Sequence, residues 1–385
     1  MTAQIRPNGA YRICIVAGEA SGDLLGAGLM FALKAHLPEV TFVGVGGEAM
    51  TKAGLQSLFP MSDLSVMGIV EVLPRLPLIL QHMRTVLDAA KRTQIDVLVT
   101  IDSPDFSFRV AKKIHKQLGV PCIHYVSPHV WAWRKGRVRK MARFLDHVLA
   151  LFPFEEDFYK NTPLACTFVG HPVVERLRHL APSDAAKPLG TAPKVALLAG
   201  SRRSEITRLW ADFAAAAVLV LKEHPGATFV VPLAPGVTPD MFPLNVPLPV
   251  QFVAGEGRYA ALKSCDAALA ASGTANLELA MLGVPMVVAY RLAALTYKLA
   301  RPFVKVENFS PVNLVAGKRV VPELLQTEVT PQSLAALLLP LLENTDARQT
   351  QLFALAGVRD GLQVGALTPS QKAAEVVANI LTGGK

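Results

Sequence analysis

Acidic side chains follow two apolar runs in the first half of the sequence. The run 12–17 leads into GEASGD (18–23), and the run 96–101 leads into DSPDF (102–106). Apolar runs of this length predict buried strands, and ligands of parallel sheets bind at the carboxyl ends of the strands. Asp102 is therefore the candidate general base, since partial burial would raise its pKa toward that role. Asp105 is instead predicted to cap the helix that follows.

The GEASGD turn is a candidate sugar-binding segment. Its glycines let backbone amides approach a ligand, while Ser21 and Asp23 could cap the following helix. The segment lacks the G-x-G-x-x-G spacing of dinucleotide sites. Glu19 and Asp23 would also repel a pyrophosphate, which favours an uncharged sugar ligand. A tight turn before a capped helix explains the same residues equally well.

Two turns in the second half are suited to holding phosphates. GSR (200–202) and SGTANLE (272–278) each join an apolar run to a predicted helix, where amides and an arginine could cradle a diphosphate. Glu278 would lie one turn into its helix, within reach of ribose hydroxyls. The candidate nucleotide-binding residues are Gly200, Ser201, Arg202, Ser272, Gly273, Thr274, Ala275 and Glu278. Either turn alone would equally fit an ordinary capped helix.

An aromatic and basic stretch follows the strand predicted over 120–126. Trp131 and Trp133 precede a segment, 134–143, in which six of ten residues are Lys or Arg. Such a pattern fits a nucleic-acid surface, because aromatic rings stack on bases, or a membrane interface, because indole favours the headgroup zone. A solvated basic helix explains most of the charges equally well.

The segment 64–80 is unusually apolar for a connection between strands. Gly68, Pro74 and Pro77 interrupt it, so one regular buried helix is not expected. We expect an inserted, partly exposed patch that contacts a membrane or acyl chains, although buried core remains the alternative. The candidate acyl-contacting residues are Val70, Val72, Leu73 and Leu76.

Composition limits the class of protein. A chain of 385 residues exceeds the usual size of one core, and 51% hydrophobic residues argue against disorder. Its formal net charge of +9 favours an anionic partner without choosing among lipids, nucleic acid and phosphorylated metabolites. No spanning run or signal-peptide pattern is evident, so we expect the chain to stay in the cytoplasm. The four cysteines show no zinc spacing, and no metal is expected.

The order of strands and helices predicts an α/β protein with two doubly wound, Rossmann-like domains facing each other across a cleft. The expected domains are residues 1–185 and 186–345, joined by a Pro-, Ala- and Gly-rich linker at 181–193. The C-terminal helices, about 345–385, could pack on either domain.

Read together, these segments resemble the lipid-A-disaccharide synthases. The shared motifs are GEASGD (18–23), VMGIVEVL (66–73), IDSPDF (101–106), HYVSPHVWAWR (124–134), GSR (200–202), SGTANLE (272–278), PVNLVAGK (311–318) and VPELLQ (321–326). The motifs keep the family's order from about residue 12 to 330. The family frequently has P-N-L where this chain has an additional Val312, which alters the surroundings of Asn313.

The resemblance implies a GT-B glycosyltransferase with nucleotide in the second domain and acceptor in the first. It implies that UDP-2,3-diacylglucosamine and 2,3-diacylglucosamine 1-phosphate give the β-1,6-linked disaccharide 1-phosphate and UDP. It also implies peripheral association with the cytoplasmic face of the inner membrane. No nucleic-acid partner and no metal or other cofactor is expected from it. A homodimer is compatible with it.

The resemblance also assigns roles to residues. Asp102 would deprotonate the acceptor, and Arg202 would stabilise the departing UDP, which makes both catalytic. Glu19, Ser21, Asp23 and Asn313 would contact substrate.

Two other functions fit parts of the sequence. The first is another GT-B enzyme of UDP-sugars, such as a UDP-N-acetylglucosamine 2-epimerase, which would use the same acidic residues and phosphate-binding turns. Such an epimerase acts on soluble sugars and therefore would not require an apolar patch. A non-catalytic anion- or nucleic-acid-binding module fits the net charge, but it leaves Asp102 and the paired turns unexplained.

Overall fold

The computed structural model describes residues 10–37, 39–64, 69–128, 136–180, 189–190, 192–243, 247–293 and 308–383, with the side chains of 69–76 left aside. The chain forms two compact units. Unit 1 comprises residues Met1–Glu175 and Gln363–Lys385, and unit 2 comprises Arg176–Leu362. Much of the expected linker, 181–188 and residue 191, lies outside the described residues.

Unit 1 contains a six-stranded parallel sheet. Its strands are Ala10–Ala17 (β1), Glu39–Val45 (β2), Val97–Ile101 (β3), Cys122–Tyr125 (β4), His147–Ala150 (β5) and Ala165–Phe168 (β6), in the order β2-β1-β3-β4-β5-β6. The central strands β3 and β4 are buried along their whole length, including the polar residues Thr100 and His124, because helices cover both faces of the sheet.

The helices of unit 1 are Ala20–His36 (α1), Glu48–Lys52 (α2), Ile69–Thr93 (α3), Pro104–Leu118 (α4), Gly136–Met141 (α5), Pro172–Leu177 (α6, across the unit boundary) and Pro369–Thr382 (α13). Alternate residues of β1 belong to different core clusters: Ile13 and Ile15 share one with residues of α1 and α13, while Cys14 and Val16 share the other with residues of α3 and α4. The C-terminal helix α13 therefore completes the core of unit 1.

Unit 2 repeats this plan. Its strands are Lys194–Leu198 (β7), Thr228–Pro232 (β8), Val250–Val253 (β9), Ala267–Ala271 (β10), Met286–Tyr290 (β11) and Glu323–Leu325 (β12), all parallel, in the order β12-β11-β10-β7-β8-β9. Its other helices are Arg203–Glu223 (α7), Gly257–Lys263 (α8), Thr274–Leu282 (α9), Pro311–Ala316 (α10), Pro331–Leu338 (α11) and Asp346–Gly361 (α12). Helix α7 packs Trp210 and Phe213 onto the sheet.

Short 3₁₀ helices occupy connections at Met61–Leu64, Pro153–Phe158, Arg178–Leu180, Pro239–Met241, Gln326–Glu328 and Leu339–Leu342. Two strands, β6 and β12, were not expected from the sequence. Both are edge strands of three or four residues without a continuous apolar run, so they give no signal of their own.

The expectation that the segment 64–80 is too interrupted for a regular helix is wrong for most of its length. Helix α3 begins at Ile69 and continues through Pro74 and Pro77 to Thr93. Its second half is anchored by buried residues such as Val86 and Ala90, and this packing offsets the hydrogen bonds that the prolines remove. Among the described helices, none is both long and apolar enough to cross a membrane.

Candidate functional site

The sheet of unit 1 reverses its strand order between β1 and β3, which are neighbours in the sheet. The chain leaves β1 toward β2 on one side and leaves β3 toward β4 on the other, so a crevice opens at their carboxyl ends. The predicted GEASGD and DSPDF turns follow these two strands. A hydrogen bond from Ser103 Oγ to Glu19 Oε1, 3.4 Å long, joins the turns. Gly18 leaves space for Ser103, because a Cβ at position 18 would lie 2.5 Å from the Ser103 hydroxyl.

Backbone strain is concentrated at this edge of the sheet. Asp102 and Ser103 have φ of 51° and 43°, and Val126, directly after β4, has φ of 80°. Positive φ costs about 1–3 kcal/mol per non-glycine residue and is unusual for a β-branched one. Hydrogen bonds hold the strained turns in place: Asp102 N donates to Tyr125 O at 3.0 Å, and Val126 N donates to Leu149 O at 3.0 Å. Nothing in the sequence indicates this strain, since Asp, Ser and Val carry no signal of a positive φ.

Asp102 lies partly exposed in a cavity of unit 1 with a volume of about 970 Å³. One carboxylate oxygen accepts a hydrogen bond from Ser103 N at 2.9 Å, which orients the side chain and leaves the second oxygen for other partners. We name this space the Asp102 cavity. Its lining residues are Asp102, Pro104, Asp105, Phe108, Lys112, His124, Val126, Ser127, Pro128, Gly136, Arg137, Lys140, Met141 and Phe144.

His124 lies fully buried in the wall of the Asp102 cavity. Its Nδ1 is 2.8 Å from the Thr100 hydroxyl, whereas its Nε2 has no partner among the described residues. Burial, together with the nearby charge of Arg137, lowers the pKa of His124 to about 3, so the ring is neutral at physiological pH. His124 belongs to the HYVSPHVWAWR motif, but nothing in the sequence marks it as a residue of the cavity wall.

Asp23 is buried, and its carboxylate stabilises the fold of unit 1. Its carboxylate accepts hydrogen bonds from Gly47 N at 2.7 Å, Ala49 N at 2.9 Å and Met50 N at 3.0 Å, and so caps helix α2. The expected cap on its own helix is therefore wrong: Asp23 serves a neighbouring helix, and neither Ser21 nor Asp23 caps α1. Ser21 is exposed on the first turn of α1, beside Glu19.

The sheet of unit 2 has its own reversal, between the neighbouring strands β7 and β10. The GSR turn follows β7 and the SGT turn follows β10, so both candidate phosphate turns border the same crevice. Gly200 has φ of 131° and lies against Glu205, since a Cβ at position 200 would be 2.5 Å from the Glu205 Cβ.

The carboxylate of Glu205 occupies the donors of the GSR turn. Its Oε2 accepts from Ser201 N at 2.9 Å and from Arg202 N at 3.3 Å, while Oε1 lies 3.2 Å from Arg202 Nη1. Three donors thus converge on one anionic group at the start of α7. The guanidinium of Arg202 is largely exposed, with 63% of its side-chain surface accessible. Backbone amides and an arginine are the donors that bind phosphate at helix starts.

The side chain of Asn276 stabilises the SGT turn through two hydrogen bonds. This buried amide accepts a hydrogen bond from Gly273 N at 3.0 Å and donates to Ala271 O at 3.0 Å. Ser272 Oγ donates to Phe309 O at 3.1 Å, so the hydroxyl supports the turn in this conformation. Thr274 and Ala275 form the first turn of α9, where backbone N–H groups have no intrahelical acceptor.

Glu278 lies one turn into α9 with 13% of its side chain exposed. Tyr259 OH donates to Glu278 Oε1 at 3.2 Å, and Arg176 Nη2 approaches the same oxygen at 3.6 Å. The Arg258 guanidinium lies over the Tyr259 ring, 4.5 Å from its centroid. This cluster places a partly accessible carboxylate next to two cations within unit 2. The sequence offered no signal for Tyr259 or the two arginines.

Asn313 is fully buried within unit 2. Its Nδ2 donates to Val321 O at 2.9 Å and Glu323 Oε1 at 2.7 Å, and its Oδ1 accepts from Val320 N and Val321 N. Both amide hydrogens are therefore used inside the protein. In this structure Asn313 shapes the loop ahead of β12. The expected contact of Asn313 with substrate stays a prediction.

Several predicted residues lie outside the described part of the chain. Trp131 and Trp133 are among them. Helix α3 includes the backbone of four more predicted residues whose side chains are not described: Val70, Val72, Leu73 and Leu76. The described end of the apolar segment exposes Leu80 to 39% and packs Ile79 on the core.

One described group, His115, Cys122 and Asp146, brings three candidate metal ligand atoms within 4.8 Å of one another. No local sequence pattern indicates this group, because 31 positions separate its first residue from its last. The group lies at the amino ends of β4 and β5, the opposite edge from Asp102. Burial raises the pKa of the Cys122 thiol well above its usual range, so the protonated sulfur is a poor metal ligand.

Comparison with known proteins relates nearly the whole chain to one family. The family model described as "Lipid-A-disaccharide synthetase" matches residues 13–377. The lipid-A-disaccharide synthase of Rhodospirillum centenum is 43% identical over 379 residues, covering 96% of this chain and 94% of the relative. That of Myxococcus xanthus is 43% identical over 385 residues, covering 97% and 98%.

Solved structures with low identity share the fold. A putative UDP-N-acetylglucosamine 2-epimerase from Listeria monocytogenes superimposes with a TM-score of 0.64 at 14% identity, covering 97% of this chain and 96% of that chain. MurG from Acinetobacter baumannii gives a TM-score of 0.58 at 16% identity, covering 96% and 98%. The expected α/β GT-B class with two doubly wound domains is confirmed.

Proposed function

We infer the function from one premise: this chain belongs to the lipid-A-disaccharide synthetase family. It is a glycosyltransferase of lipid A biosynthesis that forms the lipid A disaccharide. For its substrates we propose UDP-2,3-diacylglucosamine as donor and 2,3-diacylglucosamine 1-phosphate as acceptor, with the β-1,6-linked disaccharide 1-phosphate and UDP as products.

The observation that carries this proposal is the position of four turns. GEASGD and DSPDF border the strand reversal of unit 1, and GSR and SGT border that of unit 2. At the strand reversal of unit 1, acidic side chains border a cavity, and this arrangement is suited to a sugar hydroxyl that must lose a proton. Amides and an arginine at the other suit a diphosphate.

In the proposed reaction, Asp102 accepts the proton of the acceptor's 6-hydroxyl while that oxygen attacks the anomeric carbon of the donor. The new C–O bond forms as the bond to UDP breaks, and UDP leaves with the electron pair. One displacement converts the α-linked donor to a β-linked product. The strained, hydrogen-bonded turn at Asp102 holds the carboxylate in position before substrate binds.

For the nucleotide we propose the GSR and SGT turns with Glu278. The diphosphate would replace the Glu205 carboxylate on the amides of Ser201 and Arg202, and Glu278 would accept hydrogen bonds from the ribose. Arg202 and the first turn of α9 would stabilise the charge on departing UDP. They supply the positive charge that a metal ion would otherwise provide, so we propose a reaction without a metal.

We further propose peripheral association with the inner membrane. The supporting features are the apolar start of α3, the exposed Leu80 and the net charge of +9. Basic residues near an anionic surface contribute about 1 kcal/mol each. A homodimer also remains a proposal.

The direct test measures UDP release from acylated and unacylated donors, each with acylated and unacylated acceptors. We expect rapid release only when both sugars carry acyl chains, with one disaccharide formed per UDP. Equal release with unacylated sugars would contradict the proposed substrates.

A UDP-N-acetylglucosamine 2-epimerase is the second candidate, since such enzymes share the fold. Incubation with UDP-N-acetylglucosamine alone, followed by analysis of the sugar, distinguishes the two. Rapid epimerisation would favour the second candidate over ours.

A further inference from the structure

The Asp102 cavity has an acidic end and a basic end. Asp102 and Asp105 lie at the start of α4, while Lys112 lies two turns farther along the same helix face, about 10 Å from Asp105 at 1.5 Å per residue. Arg137 and Lys140, three residues apart on α5, are the other two cations of the lining, and we call these three residues the basic end. A ligand that fills this cavity therefore meets carboxylates at the start of α4 and cations farther along α4 and on α5.

Two of the three cations at the basic end lie over aromatic rings. Lys112 Nζ lies 4.9 Å from the centroid of Phe144, and the Arg137 guanidinium lies 5.6 Å from that of Phe108. Within the described residues, no carboxylate forms an ion pair with Lys112, Arg137 or Lys140. Their positive charge is positioned but not neutralised, as a site for an anion requires.

A buried polar atom points independently to a ligand. Nε2 of His124, a fully buried residue in the cavity wall, has no hydrogen-bond partner among the described residues. Buried polar groups are nearly always paired, so an unpaired one beside a cavity marks a missing partner. When the Thr100 hydroxyl donates to Nδ1, Nε2 carries the proton and can donate to an anionic oxygen.

We propose that Lys112, Arg137 and Lys140, together with His124 Nε2, bind the anomeric phosphate of the acceptor sugar. This inference rests on the proposed function, which assigns the reacting 6-hydroxyl to Asp102. In the α-anomer the C1 phosphate and the C5 hydroxymethyl group that carries the 6-hydroxyl project from opposite faces of the pyranose ring, so one sugar can present them separately to the cations and to the acids of the cavity. The phosphate thus fixes which hydroxyl faces Asp102, which makes these cations determinants of the linkage formed.

The test measures binding of glucosamine 1-phosphate and of glucosamine by calorimetry, with UDP at saturation so that the turns of unit 2 are occupied. The variants are Arg137→Gln and Lys112→Gln, with Arg139→Gln and Lys116→Gln as controls on the same helices. Arg139 and Lys116 are exposed and do not line the cavity. Thermal unfolding checks that each variant folds.

We expect the wild type to prefer the phosphorylated sugar and each cavity variant to lose that preference by about 10- to 100-fold, as for a lost charged hydrogen bond. The controls should keep it. An unchanged preference in Arg137→Gln and Lys112→Gln would overturn the proposal. Loss of binding to phosphatidylglycerol vesicles with an unchanged sugar preference would also overturn it, since the cations would then serve lipid headgroups.

Turnover is measured separately as UDP release with the acylated substrates. If the wild type releases no UDP while sugar-phosphate binding depends on Arg137, the proposed function fails and the phosphate site stands. If the wild type turns over and Arg137→Gln has unchanged KM for the acceptor, the phosphate site fails and the proposed function stands.

Discussion

The Glu205 carboxylate accepts a hydrogen bond from Ser201 N at 2.9 Å, so an acidic side chain of α7 occupies the turn that we assign to the diphosphate of UDP. The same carboxylate bonds Arg202 N and approaches the Arg202 guanidinium. An anionic side chain of the protein itself therefore satisfies the donors of this turn. The arrangement demonstrates that the turn can hold negative charge, and it implies that UDP must displace Glu205 to bind.

Replacing Glu205 by Gln should tighten UDP binding several-fold. The neutral amide can still accept from Ser201 N, but it competes less well with phosphate, because charged hydrogen bonds are about twice as strong as neutral ones. Isothermal titration with UDP measures the effect. Glu328→Gln is the matched control, since Glu328 accepts from Leu325 N at 2.9 Å three strands away from β7. Weaker binding in Glu205→Gln would mean that the carboxylate shapes the bound turn.

Replacing Arg202 by Ala should weaken UDP binding about tenfold and lower turnover by a further ~10²-fold, the usual effect of removing one donor to a developing negative charge. Arg203→Ala provides the control, because the neighbouring arginine is also exposed. Titration and steady-state kinetics separate the two effects. An unchanged rate would remove Arg202 from the mechanism.

Asp102→Asn should reduce turnover by ~10²- to 10⁴-fold while leaving UDP affinity unchanged. Asn is the informative substitution, since it tolerates the φ of 51° at this position better than Ala does. Asp105→Asn, in an exposed position on the first turn of α4, should keep most of the activity. Loss of UDP affinity in Asp102→Asn would indicate a structural role for the carboxylate.

Polar substitution of Val70, Val72, Leu73 and Leu76 should release the protein from anionic vesicles without unfolding it. Each large apolar side chain removed from an interface forfeits roughly 1.5–3 kcal/mol, so each change should cost tenfold or more in partitioning. Co-sedimentation with vesicles and the melting temperature are both needed. Phe353→Ser, at a position 84% exposed on α12, is the control. A drop of many degrees in melting temperature would identify the four residues as core.

Glu155→Gln should become more stable than the wild type as pH rises from about 5 to 8. Burial raises the pKa of Glu155 to about 7 despite hydrogen bonds from Phe152 N and Leu151 N. Between the unfolded pKa and this value the folded state binds more protons, so the contribution of Glu155 to stability falls with rising pH, by roughly 3 kcal/mol in all. Urea unfolding at several pH values gives the difference. A difference that stays constant or reverses would contradict the assignment.

The class of fold and the chemistry of the turns can be predicted from the amino-acid sequence alone. Apolar runs that do not alternate identified strands covered on both faces, and the polar residues directly after them, such as Asp102 and Ser272, identified the edge where ligands bind. These signals are local, because strand, turn and helix start lie within about ten residues of one another.

Which turns are neighbours depends on the tertiary structure, and so does the set of polar side chains that remain available to a ligand. Strand order places β1 beside β3 and β7 beside β10, and no local pattern encodes that pairing. Asp23 and Asn313 match binding motifs, yet long-range backbone donors and acceptors occupy them. The basic end of the Asp102 cavity likewise joins α4 to α5 across β4. Burial and hydrogen bonding between distant segments set these features, because they depend on packing that the sequence shows only after folding.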